Sequence, residues 1–158
     1  MRRLAEKRAT PKRFASAKEV CSLGLGWRAN AEGFRAGRTA FRPVSLFDVS
    51  RQRVKVAAEV DLSGRLPPTR LTDREEARLD RASTMLLLAA REAQQEAGWE
   101  ASDNLPLVLG TTAGGMSYGE AYYRQAVQTP LDHRRQPSRA LRYQAQVQGR
   151  TVLDALGF

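Results

Sequence analysis

Cys21 and His133 are the chain's only thiol and only imidazole. A nucleophilic thiol needs a neighbouring base and a lowered pKa. No local motif joins these two residues, so a Cys21–His133 dyad has no support beyond their presence. A zinc site built from cysteine and histidine is excluded by count. Two glycine-rich stretches have the spacing of phosphate loops. GLGWRA (24–29) matches G-x-G-x-x-A, with Asp48 about 20 residues further on. Only Val20 and Leu23 stand where an apolar strand belongs, and Gly33 interrupts the short helix that follows. GTTAGGMS (110–117) has the spacing G-x-x-x-x-G, but Met116 occupies the place of the P-loop lysine. Without that ammonium the β- and γ-phosphate charge is uncompensated. The expectation is a glycine-rich turn whose helix N-terminus faces a pocket. No cofactor and no metal are expected.

Those residues sit in a chain of 158, enough for one domain and hardly for two. It is 42% hydrophobic and 27% charged, ordinary for a globular protein. The densest apolar patch, residues 85–90, falls far short of the roughly 20 that a membrane span needs. A single cysteine allows no internal disulfide and fits a reducing cytoplasm. The net charge of +9 is concentrated. Residues 1–42 hold eleven lysines and arginines against Glu6, Glu19 and Glu32, and the remainder is nearly neutral. Residues 1–19 therefore read as a basic, disordered arm ahead of a domain over 20–158. Nucleic acid is an unfavoured partner, because the arm has no aromatic interleaving beyond Phe14 and no known motif. Of 26 basic residues 22 are arginine, which suits carboxylate or phosphate pairing and also follows from a GC-rich genome.

Hydrophobic periodicity supplies the elements. Asn30 is expected to cap a short helix over 31–36, ended by Gly37. Residues 53–62 alternate Val54 and Val56 with Arg53 and Lys55, the signal of a half-buried strand. Thr72 and Glu75 form a capping box. Behind it Leu79, Ala82, Leu86, Ala90, Ala93 and Ala97 make one stripe that ends at Gly98, predicting a single helix of about seven turns. The run LPLVLGTT (105–112) suits a strand buried on both faces of a parallel sheet. A helix is expected over 117–127, a loop over 128–139, and a last helix carrying Leu141, Ala145, Gly149, Val152 and Leu156, with close packing at Gly149. This order argues an α/β fold.

Four segments in succession resemble a known family: AEGFRAGRTAFRPVSLFD (31–48), RVKVAAEVDL (53–62), LTDREEARLDRASTMLLLAAREAQQEAGW (71–99) and LPLVLGTTAGGMSYGEAYY (105–123). Together they resemble the amino-terminal half of the β-ketoacyl synthases, the condensing enzymes of fatty-acid and polyketide synthesis. The resemblance covers residues 22–158. It implies an incomplete amino-terminal half of a thiolase-like fold with α-β-α layers, a homodimer or heterodimer, and an acyl carrier protein as partner. The family's opening apolar strand is replaced here by KRFASAKEV. Its nucleophilic cysteine and two histidines match neither Cys21 nor His133. The expectation is a truncated or frame-damaged reading of such a gene, unable by itself to condense acyl thioesters and exposing Leu107, Val108 and Leu109 as an unpaired edge. By the same resemblance, Ala113 falls where related synthases carry an acyl-pocket gate. Arg74 and Arg78 fall where basic residues meet the acidic carrier protein, although Ala77 stands where a third basic residue is often found.

Overall fold

A computed structural model describes residues 19–64, 66–101 and 106–158. The described chain begins with a minimal antiparallel hairpin. β1 (Val20–Cys21) pairs with β2 (Gly24–Leu25), Val20 opposite Leu25. α1 (Trp27–Arg35) follows directly, entered from Gly26 at φ 84°. Asn30 is not the cap expected from sequence. It lies inside α1 at 1% exposure, and its side-chain amide donates to the carbonyls of Gly26 (2.8 Å), Gly24 (3.1 Å) and Glu19 (3.3 Å). The amide spends its donors on joining hairpin to helix. Gly37 takes the left-handed conformation beyond the helix end, as expected.

β3 (Arg42–Pro43) pairs antiparallel with β4 (Val56–Ala57). One further bond, from Val44 N–H to the Lys55 carbonyl at 3.0 Å, extends the pair. The strand expected over 53–62 is reduced to these two residues. Val54 and Val56 are 65% and 50% exposed, so the alternation has no surface to bury against.

α2 (Asp73–Glu76) starts in the expected capping box, with both reciprocal bonds between Thr72 and Glu75 present. The single long helix does not form. The chain leaves helical geometry after Ala77, and Asp80, in extended backbone, opens α3 (Arg81–Ala97) by accepting the Ser83 N–H at 2.8 Å. Gly98 ends α3 in the left-handed conformation, as expected. α4 (Met116–Gln128) matches its prediction. α5 (Gln136–Tyr143) begins inside the expected loop, with Pro137 in its first turn. Gln144, in extended backbone, separates it from α6 (Ala145–Leu156), so the last helix is also two.

The core lies between α3 and α6. Leu87, Val152, Ala155 and Leu156 are buried, with Leu66, Leu71, Leu79, Leu86, Ala90 and Phe158 packed around them. The contact face of α3 is rotated from the expected alanine stripe: Ser83 and Leu87 are buried, whereas Ala82 is exposed. Gly149 does pack closely, since a Cβ there would stand 3.2 Å from Leu107 Cδ2.

Residues 106–111 have no regular structure, and Val108 is 97% exposed. A doubly buried parallel strand must bond to neighbours along both edges, and the sheets among the described residues are the two antiparallel pairs above. The architecture is a mixed arrangement of helix and sheet. The expected basic arm lies outside the described residues except for Glu19, as does Leu105 of the expected strand.

Candidate functional site

Arg74 lies on α2 and Arg78 in the turn between α2 and α3, and both are exposed. They do not share one continuous helix, as the sequence periodicity suggested. The turn is held from across the molecule. Tyr118 of α4 donates its hydroxyl to the Arg78 carbonyl, and Arg142 Nη1 of α5 donates to the same oxygen at 3.3 Å. The Arg142 guanidinium also lies 5.6 Å from the Tyr118 ring centroid, a cation–π distance.

These contacts frame a cleft of about 580 Å³ lined by Arg78, Arg135, Arg139 and Arg142 with Asp80 and Tyr118. Arg139 is braced by Gln125 of α4 and by Gln136, the latter at 3.3 Å. Asp80 is the only carboxylate in the lining. Besides the Ser83 N–H, its oxygens accept from the buried Gln148 amide at 3.3 and 3.4 Å. Glu75 stands nearby. Hydrogen bonds from Thr72 hold its carboxyl below the ordinary glutamate value, with the charges of Arg142 and Arg78 adding to the effect.

The remaining sequence candidates are placed apart. Cys21 donates its thiol to the Asn30 side-chain oxygen and accepts the Leu23 N–H at 3.4 Å. His133 is exposed in the turn before α5, where its carbonyl accepts the Gln136 N–H at 3.3 Å. The structure does not bring the two together. GLGWRA forms β2 and the start of α1 within an antiparallel hairpin, not the strand–helix crossover of a dinucleotide site. The first turn of α4 behind the GTTAGG turn lines a cleft through Ser117 and Tyr118, as expected, while the glycines of the turn itself pack against backbone. Gly115 N–H donates to the Tyr143 carbonyl at 3.2 Å, and a Cβ on Gly115 would stand 2.2 Å from the Arg142 carbonyl oxygen. Its glycines admit the α5–α6 elbow. Ala113, half-buried in the same turn, is held through the Thr111 hydroxyl, which accepts its N–H at 3.5 Å. An open apolar groove of about 440 Å³ runs between Leu107, Leu109 and the α6 residues Gly149 and Leu153, and Ala113 does not line it.

Arg135, Arg139 and Arg142 escape sequence reasoning because 128–139 reads as loop and Leu141 dominates the stripe beyond. Their spacing of three and four residues is a helical signal in its own right.

No family profile matches the chain. Curated relatives do. Over 125 residues the chain is 34% identical to a polyketide β-ketoacyl synthase 1 of Streptomyces halstedii, covering 73% of this chain and 29% of that protein. It is 33% identical over 91 residues to the tetracenomycin polyketide synthase ketoacyl synthase alpha subunit of Streptomyces glaucescens, covering 58% and 21%. It is 35% identical over 115 residues to the actinorhodin polyketide β-ketoacyl synthase 1 of Streptomyces coelicolor, covering 67% and 24%. The chain thus spans less than a third of the length of these relatives. It is related by sequence to the polyketide β-ketoacyl synthases and corresponds to a part of one.

Proposed function

We propose that this chain is the carrier-docking part of a β-ketoacyl synthase and does not itself carry out condensation. In the family reaction, an acyl group held on a thiolate is attacked by the carbanion left when a malonyl thioester loses carbon dioxide. That chemistry needs a free thiolate, an oxyanion hole and a tunnel for the acyl chain. Cys21, hydrogen-bonded to Asn30 in the hairpin, supplies none of these. The observation that carries the docking reading is the exposure of Arg74 and Arg78, of which Arg78 also lines the arginine-rich cleft. An acidic carrier protein is the partner that complements them.

The test measures association with an acyl carrier protein across a salt series, comparing the native chain with Arg74→Glu/Arg78→Glu. Rim charges act mainly on the association rate and are screened by salt. The double reversal is expected to slow association several-fold at low salt and to flatten the salt dependence. An unchanged rate with unchanged salt dependence reduces these arginines to a solvated face. Ala113 belongs to the same reading as the residue that sets acyl-pocket depth. In a complete synthase, Ala113→Phe is expected to shorten the acyl chains accepted, and an unchanged chain-length profile returns it to plain packing.

A non-catalytic condensing-enzyme-like partner is the second reading, favoured by the engaged state of the Cys21 thiol. Acyl- and malonyl-carrier protein assayed with the purified chain separate the readings from a true enzyme. Turnover abolished by Cys21→Ala overturns both.

A further inference from the structure

The arginine-lined cleft has more charge, and more preorganised charge, than a docking rim requires. Four guanidinium groups from two separate parts of the chain face one space, and the single carboxylate among them is already bonded to Ser83 and Gln148. The lining therefore carries a formal charge of +3, four arginines against Asp80, with Glu75 outside the lining but within electrostatic reach of Arg142 and Arg78. The ion pairs Arg124–Glu120, Arg134–Asp132 and Arg150–Asp154 leave these four arginines out. Two of the four are held in place before any ligand arrives. Arg142 is stacked on Tyr118 and bonded to the Arg78 carbonyl, and Arg139 is bonded to Gln125 and Gln136. A guanidinium offers a planar fork of donors matched to phosphate oxygens, and a fixed one loses less entropy on binding. The volume of about 580 Å³ lies within the range typical of small-ligand sites.

Arg135 adds an independent pointer. It is the only non-glycine residue at positive φ among the described residues, at 64°. Glycine would occupy that position without strain, and arginine occupies it instead, at the rim of the cleft.

We propose that the cleft between the α2–α3 turn, α4 and α5 is a binding site for a small diphosphate-bearing anion. A diphosphate matches a lining charge of +3 more closely than a monophosphate, which carries about −1.5 to −2. Arg139 and Arg142 form the fixed floor, and Arg78 and Arg135 close on the anion from the two sides. The site stands whether or not a carrier protein docks on Arg74 and Arg78, because it takes a free anion.

The experiment is calorimetric titration of the whole chain with inorganic diphosphate, then with inorganic phosphate, at low and moderate salt. Saturable binding is expected, at least tenfold tighter for diphosphate than for phosphate. Arg135→Gly is the decisive variant, because it removes the guanidinium while relieving the backbone. It is expected to weaken diphosphate at least tenfold with no fall in thermal midpoint. Arg134→Ser removes an exposed charge that does not line the cleft and is expected to leave affinity within twofold. The proposal is overturned by the absence of saturable binding, by unchanged affinity in Arg135→Gly, or by equal losses in the two variants, which mark diffuse charge attraction. The titration contains no carrier protein, so its failure leaves the docking test standing, and the reverse holds.

Discussion

The segment from β3 to β4 and the α3–α6 pair contrast in how their sequences reach structure. The first is rich in large apolar side chains, yet Phe47, Val54 and Val56 all lie in solvent and only two residues pair on each side. The second is rich in alanine and glutamine, yet it contains the buried core. A helix closes its backbone bonds within itself and needs only one neighbour for its apolar stripe. A strand closes its bonds only on other strands. Where sheet partners are scarce, apolar content alone does not produce burial, and the core forms between helices.

That contrast is most directly broken at Leu87. Leu87→Ala is expected to cost about 2–5 kcal/mol by leaving a cavity between α3 and α6, read from a denaturant melt. A loss below about 1 kcal/mol places the stabilising contacts elsewhere. Gly115→Ala comes next. A methyl group there meets the Arg142 carbonyl, and overpacking of this kind costs about 1–3 kcal/mol. The same variant is expected to separate the start of α4 from the α5–α6 elbow, visible as faster exchange of the residue-115 amide, which bonds the Tyr143 carbonyl. Asp80→Ala removes the α3 cap and the partner of Gln148, for an expected loss of about 0.5–2 kcal/mol. Thermal unfolding measures it, and an unchanged midpoint implies that α3 starts without its cap.

Acid probes the other side of the comparison. Bonds from the Ser45 side chain, with smaller contributions from the Ser45 and Leu46 backbone and the charge of Arg42, hold the Glu59 carboxyl below the ordinary glutamate value. Its support is therefore complete above the unfolded-state pKa and is lost as pH falls through the lower folded one. Amide exchange at Ser45 and Leu46 is expected to quicken over that acid range while α3 and α6 remain protected. Simultaneous loss in both regions makes them one cooperative unit. The smallest effect belongs to Val108. Val108→Asn is expected to change stability by less than about 0.5 kcal/mol, as for an exposed site. A loss above about 1 kcal/mol restores the buried strand that the apolar run suggested.

Legibility followed the range of the physical signal. The Thr72–Glu75 capping box and the left-handed Gly98 act within one turn, and both were readable directly. Asp80 carries an equally local cap signal, but a hydrophobic stripe running through Leu79 and Leu86 masked the break before it. The break at Gln144 has no glycine or proline to mark it. Residues 105–112 look like a strand by content, and only the absence of a ladder beside 106–111 shows otherwise. Of the cleft's four arginines, sequence reasoning reaches one. Arg78 was identified through resemblance, whereas Arg135, Arg139 and Arg142 meet it only through the fold of α4 against α5.

Asn30 has a consequence for the ageing of the protein. One primary amide, facing three carbonyls and one thiol, does for the first hairpin what a row of ladder bonds does elsewhere. Hydrolysis of that amide to a carboxylate, the commonest spontaneous damage to asparagine, replaces its two donors with an acceptor and a negative charge against the same carbonyls. The geometry that makes the change so damaging also retards it, because the helical backbone of α1 keeps the following amide nitrogen from reaching the side-chain carbon. The hairpin is thus durable while α1 is formed, and chemically perishable whenever α1 opens.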